Sequence, residues 1–518
     1  MSAGMGETGE GAGGITARWA GLVVGPLLAA AVYALSAGGP LAYEARVVAA
    51  LATLMATWWL TEALPIAVTA LLPVALLPLL NVSPIREVCG SYANEVVFMF
   101  LGGFLLGLTV ERWGLHRRIA LAVLWCFGGG ERRLVGGFML ATALISMWVS
   151  NTATTMMMMP IAASVVGMLA AHAAGARDEE GSPRPHATPL AKALVLGVAY
   201  AASIGGMGTY VGTPPNTILR GFMVDRQGPD LGFGAWMIGI GVPTIVLFLP
   251  LAWLVLTRIV FRLDARSGGG PALGRDLVSG ELRALGPLRR GEWMCIGLFG
   301  AAVTAWMFRE PLAQALGLFR TDASGRVVYT LTDAGIAVLA GVAMFAIPVE
   351  PRRGVFLMDW EFAKGLPWSV LLLTGGGLAL ADAMTRTRLD AHLAAQFAGL
   401  HGMPTWLLTL VLCAGIVALS ELASNAAVTS AALPVLWPAA QGIGVHPYLL
   451  IIPATLAASA GFMLPVATPP NGIAYATGWV KGREMAKAGL WLDVIAVLVI
   501  TLWMTLAGPA MVARLTVE

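Results

Sequence analysis

The chain has 518 residues, 58% of them hydrophobic and 12% charged, with a formal net charge of +3 and a mean hydropathy of +0.78. A water-soluble domain could not cover that much apolar surface, and many apolar runs approach the ~20 residues a helix needs to cross a bilayer. Composition therefore excludes a soluble globular protein and points to an all-α integral membrane protein. Its small charge, with arginine gathered in particular loops, suits orientation in the lipid bilayer better than nucleic-acid binding, and no nucleic acid is expected as a partner.

Residues 1–16, MSAGMGETGEGAGGIT, are Gly-rich and acidic and lack a cationic start or a small-residue cleavage site. A disordered tail followed by an uncleaved first span is expected. Apolar runs follow at 17–36, 45–61, 66–82 and 94–110, the last containing FLGGFLLGL (100–108). Cys89, Cys126, Cys295 and Cys413 stand alone without CxxC spacing. They read as buried apolar fillers rather than redox or metal groups.

Next comes a small uncharged polar cluster, ISMWVSNTATTMMMMP (145–160), bracketed by Arg132 and Arg133 on one side and Arg177 and Arg184 on the other. The pattern predicts a helical hairpin over 133–172. Its methionine run is adaptable packing rather than a soft-metal site. Downstream, ASIGGMGTYVGTPPNTIL (202–219) interrupts an apolar segment. Two consecutive prolines remove two amide donors and push the preceding residue out of the helical region, so a broken helix is expected over 190–226. A further span at 236–261 closes the first half, 17–262, in which 17–130 supplies scaffold helices.

The least apolar stretch, RLDARSGGGPALGRDLVSGELRALGPLRR (262–290), has five further arginines after Arg262. Its Gly/Pro breaks and arginines predict a cytoplasmic linker over 263–291. The second half, 292–518, then repeats the first, with apolar runs at 292–308, 332–348, 366–381 and 488–513. LLLTGGGLAL (371–380) echoes the earlier Gly-rich run, LSELASNAAVTSAALP (419–434) echoes the Ser-Asn cluster, and ASAGFMLPVATPPNGIA (458–474) echoes the Pro-Pro-Asn break. A second hairpin is expected over 404–442 and a second broken helix over 447–482. No Lys or Arg occurs from Leu389 to Val480. The basic brackets of the first copy and their absence from the second place the two on opposite sides of the membrane, which is the signature of inverted repeats in secondary transporters.

A helix breaks inside a bilayer only where protein or a watery cavity takes the freed polar groups. Ser, Thr and Asn at such a break are capping residues, and the helix that follows presents free amide donors and a positive partial charge. Two tips meeting from opposite sides would hold an anion. Neither cluster nor Pro-Pro loop contains a Lys or Arg. Free carbonyls, Asn oxygens and Ser hydroxyls are hard ligands for a small cation such as Na+, which would supply the positive charge and couple the two ions.

On these residues, and on WWLTEALPIAVTALLP (58–73), the chain resembles the divalent anion/sodium symporters, the family of sodium-coupled di- and tricarboxylate transporters. The resemblance implies about eleven transmembrane helices, two re-entrant hairpins, a homodimer and an elevator movement of each transport domain. Matched motif by motif, it implies that Ser150, Asn151, Thr152, Ser424, Asn425, Thr468 and Pro469 bind the carboxylate substrate. One sodium site would comprise Ser146, Ser150, Asn151 and Gly212, and a second Ser420, Asn425 and Ala467. Ala426 departs from the family's usual Thr and removes one hydroxyl.

A dicarboxylate of the succinate, malate or fumarate class, moved by symport with Na+, is the function expected. A sodium-independent exchanger, an H+-coupled carrier and an inorganic divalent anion (sulfate) carrier of the same fold are the alternatives. An enzyme would need a catalytic constellation, yet there is no HExxH, no GxSxG and no paired acids in one apolar segment, and the six histidines lie apart. An ATP-driven pump would need a phosphate loop that is absent from the sequence; a channel would lack obligatory coupling between ions. Abundant Ala and Gly and scarce Lys suit a bacterial cytoplasmic membrane. Glu62 and Glu421 are acids in apolar surroundings and so functional candidates. Glu421 is expected to bond amides and hydroxyls at the hairpin tip, whereas Glu95, Asp333 and Asp382 fall near span ends with no special role.

Overall fold

The computed structural model describes residues 12–127, 130–174, 188–226, 228, 230–263, 279–321 and 327–517. Among them eight helices are long and apolar enough to cross a membrane, or nine if Arg290–Met307 and Arg309–Ala315, bent by 90°, form one span. The runs expected at 66–82 and 332–348 are shorter apolar helices, Ile66–Leu79 and Asp333–Ala346. Two short antiparallel strand pairs complete the secondary structure, Phe319–Thr321 with Val327–Tyr329 and Pro348–Glu350 with Val355–Phe356. At the N-terminus the first helix begins at Ala12, inside the 1–16 segment expected to be a tail. Residues 1–11, like Arg177, Arg184 and linker residues 264–278, lie outside the described residues.

Capping side chains fix where several helices start. Asn94 opens Glu95–Arg112 by accepting from Val96 N (2.9 Å), and Thr188 opens Pro189–Gly206 by accepting from Ala191 N (3.2 Å), with a proline in the first turn where its missing N–H is not needed. Small residues then let backbones meet. A Cβ on Gly102 would lie 2.3 Å from the Ala337 carbonyl, so helix Glu95–Arg112 packs directly along Asp333–Ala346. Gly205 is pressed against the Ala143 backbone in the same way.

Two helix pairs and two broken helices make the centre. The pairs are Glu131–Ser146 with Asn151–Ala174 and Thr405–Leu422 with Asn425–Ile443; the broken helices are Pro189–Gly206 with Pro214–Asp225 and Tyr448–Ala458 with Pro469–Ala476. Packing crosses between the halves: Pro214–Asp225 lies against Asn425–Ile443, and Pro469–Ala476 against Asn151–Ala174. Tyr200, Tyr210, Tyr448 and Phe462 are fully buried here. On the outer helices, by contrast, Leu339, Val411 and Leu506 are more than three-fifths exposed, a surface that suits lipid and not water. Cys295 and Cys413 are buried, but Cys89 and Cys126 are exposed, which corrects the expectation of four buried fillers: both exposed thiols sit on peripheral helices, Ile85–Tyr92 and Leu115–Phe127.

Candidate functional site

Each helix pair turns at its Ser-Asn motif because the segment before the asparagine leaves the helix. Met147–Ser150 interrupts the first pair, while Ala423 (ψ 160°) and Ser424 (ψ 129°) are extended in the second. Ser150 Oγ then accepts from Ala153 N (3.3 Å), an N-cap bond. Ser150 is exposed, Asn151, Thr152, Ser424 and Asn425 are half-buried, and Ser146 and Ser420 are buried.

Around the two buried serines the halves share one geometry. Ser146 Oγ lies 2.7 Å from Asn151 Oδ1 and 2.7 Å from the Ala202 carbonyl; Ser420 Oγ lies 2.7 Å from Asn425 Oδ1 and also meets the Ala458 carbonyl. A hydroxyl has one hydrogen to donate, so in both halves oxygens outnumber donors. In the first half Gly212 joins the group. Rotating the Asn151 amide would bring its nitrogen 3.0 Å from Ala202 O, 3.2 Å from Gly212 O and 2.7 Å from Ser146 Oγ, supplying the missing donors. With the oxygen inward, four oxygens converge instead, a set of hard ligands that suits a small cation. In the second half Gly461 sits between Ser420 and Ala467, with a Cβ there 3.3 Å from the Ser420 carbonyl and 3.3 Å from Ala467 Cβ. The structure therefore gathers Ser146, Asn151 and Gly212 in one place and Ser420, Asn425 and Ala467 in another.

Beside these groups the breaks are stitched by the Pro-Pro-Asn motifs. Thr213 and Thr468 are extended N-cap residues, and Thr468 Oγ1 accepts from Asn471 N (3.3 Å). Asn216 Nδ2 donates to the carbonyls of Gly206, Met207 and Thr209 (3.3, 3.1 and 2.8 Å), and Asn471 Nδ2 to those of Gly461 and Leu464 (3.1 and 3.0 Å). Both asparagines are fully buried, and the Oδ1 atom of each has no hydrogen-bond partner. Two further oxygens able to accept from a ligand or coordinate a cation thus stand next to the breaks. Thr468 is buried while Pro469 is exposed.

Glu421 accepts from Met463 N (2.8 Å) and Leu464 N (2.9 Å), and Asp493 from Phe462 N (3.2 Å). Three consecutive amides of the second break thus face two buried acids, an arrangement of oriented backbone dipoles that holds negative charge. Glu62 ends helix Tyr43–Thr61 in the left-handed region (φ 48°).

Arg220, one turn beyond Asn216, is buried and bonded to Asp230 (2.8 Å) and Asp333 (3.6 Å), while Arg309 reaches the same two acids (2.8 and 3.4 Å). Asp333 also accepts from Phe233 N (3.2 Å). Sequence reasoning gave Asp333 no role; here it ties the end of the first broken helix to the helix it begins. Asp493 and this four-residue network had no repeated motif to reveal them. An unpaired Arg and Asp signal only that each needs a partner. In the loop, burial pushes the Asp230 carboxyl up, but Arg220 and Arg309 outweigh it and hold it below the usual carboxylate range.

Paired helix tips, paired broken helices and an apolar exterior define a multi-pass membrane transporter. The model of the sodium:sulfate symporter transmembrane region matches residues 16–513, and the chain belongs to that family. It is 38% identical over 484 residues to a sodium-dependent dicarboxylate transporter SdcS of Staphylococcus saprophyticus, covering 93% of this chain and 90% of the relative. A sodium-dependent dicarboxylate transporter SdcS of Staphylococcus aureus is 37% identical over 483 residues, covering 93% and 89%. Among solved structures, the YdaH transporter of Alcanivorax borkumensis matches with a TM-score of 0.54 at 18% identity, over 81% of this chain and 87% of that one. MtrF of Neisseria gonorrhoeae, described with a class of antimetabolite efflux pumps, matches at 0.53 and 14%, over 81% and 83%. These two share the fold alone.

Proposed function

We propose that the chain is a secondary transporter that moves a small dicarboxylate of the succinate, malate or fumarate class by symport with Na+. The observation that carries this reading is the repeated geometry at Ser146 and Ser420, where a buried hydroxyl, an asparagine side chain and a backbone carbonyl, all uncharged, converge in both halves. Sodium is a hard cation that such oxygens suit, and it neutralises a carboxylate held nearby by helix ends. Ser146, Ser150, Asn151 and Gly212 form the first cation site, and Ser420, Asn425 and Ala467 the second. Ser150, Asn151, Thr152, Ser424, Asn425, Thr468 and Pro469 hold the substrate. The sodium-dependent dicarboxylate relatives support both ligands.

On the same reading the two helix pairs are re-entrant hairpins and the chain has about eleven spans. It works as a homodimer in a bacterial cytoplasmic membrane with the 263–291 linker inside, and the central bundle moves as an elevator against the scaffold. The family resemblance and the crossed packing of the broken helices support this arrangement.

Uptake of radiolabelled succinate into proteoliposomes tests the function directly. An inward Na+ gradient should drive accumulation, and unlabelled sulfate should not compete. Uptake that ignored the gradient and required internal dicarboxylate would replace symport with exchange, and competition by sulfate alone would replace the substrate. Asn151→Ala and Asn425→Ala should each weaken apparent Na+ affinity by roughly tenfold or more; normal Na+ dependence in both would remove them from the cation sites.

A further inference from the structure

Away from the central bundle, a recess of about 730 Å³ opens where three helices end. Arg289 and Arg290 stand at the start of Arg290–Met307, Trp113 follows Glu95–Arg112, and the turn Pro351–Arg353 lies beyond Asp333–Ala346. None of its lining residues belongs to the Ser-Asn or Pro-Pro-Asn segments. Four arginines line it, Arg289, Arg290, Arg352 and Arg353, against one acid, Glu350. That acid pairs with Arg353 at 3.1 Å, whereas Arg290 and Arg352 have no ion pair among the described residues. The nearby Glu292 is already engaged by Arg118 (2.9 and 3.2 Å) and by Arg289 N (2.7 Å).

The walls are braced. Trp113 Nε1 donates to the Leu357 carbonyl (2.8 Å). The indole ring covers Gly291, where a Cβ would come within 2.2 Å of a ring carbon. Gly354 (φ 65°) closes the turn that presents Arg352 and Arg353, a left-handed position that glycine takes without strain. Exposed aromatic side chains stand at the same helix ends: Trp293 is 59% exposed, Trp360 65% and Phe356 40%. Tryptophan left exposed at the end of a membrane-crossing helix marks the level of lipid headgroups.

The geometry points to a binding site for the headgroup of an anionic phospholipid, with its phosphate among Arg290, Arg352 and Arg353 and its acyl chains along the exposed aromatic rim. Guanidinium groups match phosphate oxygens through two parallel N–H bonds. A cluster of arginines at headgroup level also concentrates anionic lipid over zwitterionic lipid. The rim distinguishes this ligand from free phosphate, because an inorganic anion makes no use of apolar side chains.

The full-length protein, purified in detergent, is to be compared in native mass spectra and thermal unfolding with added phosphatidylglycerol, phosphatidylcholine or inorganic phosphate. Phosphatidylglycerol should be retained and raise the unfolding temperature, and the other two should do neither. Each arginine removed should lower retention about fivefold, so Arg352→Gln/Arg353→Gln should retain roughly 25-fold less. Both side chains are exposed, and unfolding in phosphatidylcholine should be unchanged. Arg290→Gln, on a different wall, should show the single-site loss. Equal retention by both variants, equal retention of phosphatidylcholine, or equal protection by inorganic phosphate would each overturn the assignment.

Discussion

The two halves fasten the same break with different chemistry. In the first, Thr209 Oγ1 bonds the Met147 carbonyl and accepts from Gly212 N (3.1 Å), and Asn216 gathers three carbonyls. All these groups are uncharged. In the second, the residue after the buried serine is Glu421 rather than Met147, and it and Asp493 hold three amides in a row. The first half places its charge instead at the far end of the broken helix, in the network of Arg220, Asp230, Arg309 and Asp333. A break of the same kind in both halves therefore fixes where groups are needed, while the halves differ in which groups meet the need. The copy with acids at its break should be more sensitive to their loss, because charge-assisted bonds are stronger than neutral ones.

The largest expected effect comes from unfastening the breaks. Glu421→Ala strips two amides of their acceptor and should destabilise the protein by roughly 2–5 kcal/mol. Thr209→Val should cost about 1–2 kcal/mol. Thermal unfolding of the purified variants, followed by succinate uptake, makes the comparison. Equal losses would mean that charge at the second break adds nothing to its fastening.

A second contrast concerns the matching positions Gly212 and Ala467. A Cβ on Gly212 would lie 2.5 Å from the Gly206 carbonyl, whereas Ala467 already carries one. Gly212→Ala should therefore force the first cluster apart, at about 1–3 kcal/mol, and weaken Na+ dependence sharply. Ala467→Gly should leave Na+ affinity within about twofold, since no contact is crowded. Similar uptake kinetics for the two variants would break the contrast.

Charge at the outer end of the first broken helix should appear in acid. The folded carboxyl of Asp230 lies below its ordinary value, so its contribution is complete above the unfolded value near ~3.9 and disappears as pH falls through the folded one. Wild type should lose unfolding temperature below about pH 4, and Asp230→Asn should show a smaller fall over the same range. The effect is modest because the Asp230 side chain is half exposed and water screens its pairs. Identical pH profiles would remove Asp230 from the stabilising network.

Repetition explains what the sequence made legible. Ser146 and Asn151 recur as Ser420 and Asn425, five positions apart in each case, and the structure joins each pair by one bond of 2.7 Å. The bonding of Glu421 to amides was readable as well, since an acid in an apolar run needs donors; the amides proved to be those of the second break and not of its own tip. Asp493 lay hidden in the last apolar helix, 72 positions after Glu421 in the chain. Its partnership depends on how Gly482–Val517 packs against Thr405–Leu422, and no local pattern encodes that contact. Arg220 and Asp333 were opaque for the same reason, being 113 positions apart.

The smallest expected change tests the one hydroxyl that separates the two Ser-Asn motifs. Thr152 follows Asn151, but Ala426 follows Asn425, and Ala426 is buried at 8% exposure. Both positions occupy the first turn of the helix that follows the break. Ala426→Thr adds a donor there without changing the backbone. A hydrogen bond to a bound carboxylate is worth about 0.5–1.5 kcal/mol, so KM for succinate should fall a few-fold with kcat preserved. An unchanged KM in a variant of wild-type stability would mean that this position does not face the substrate and that the halves contribute unequally to it. A raised KM would mean that the small side chain is itself required, with the added methyl occupying space the dicarboxylate needs.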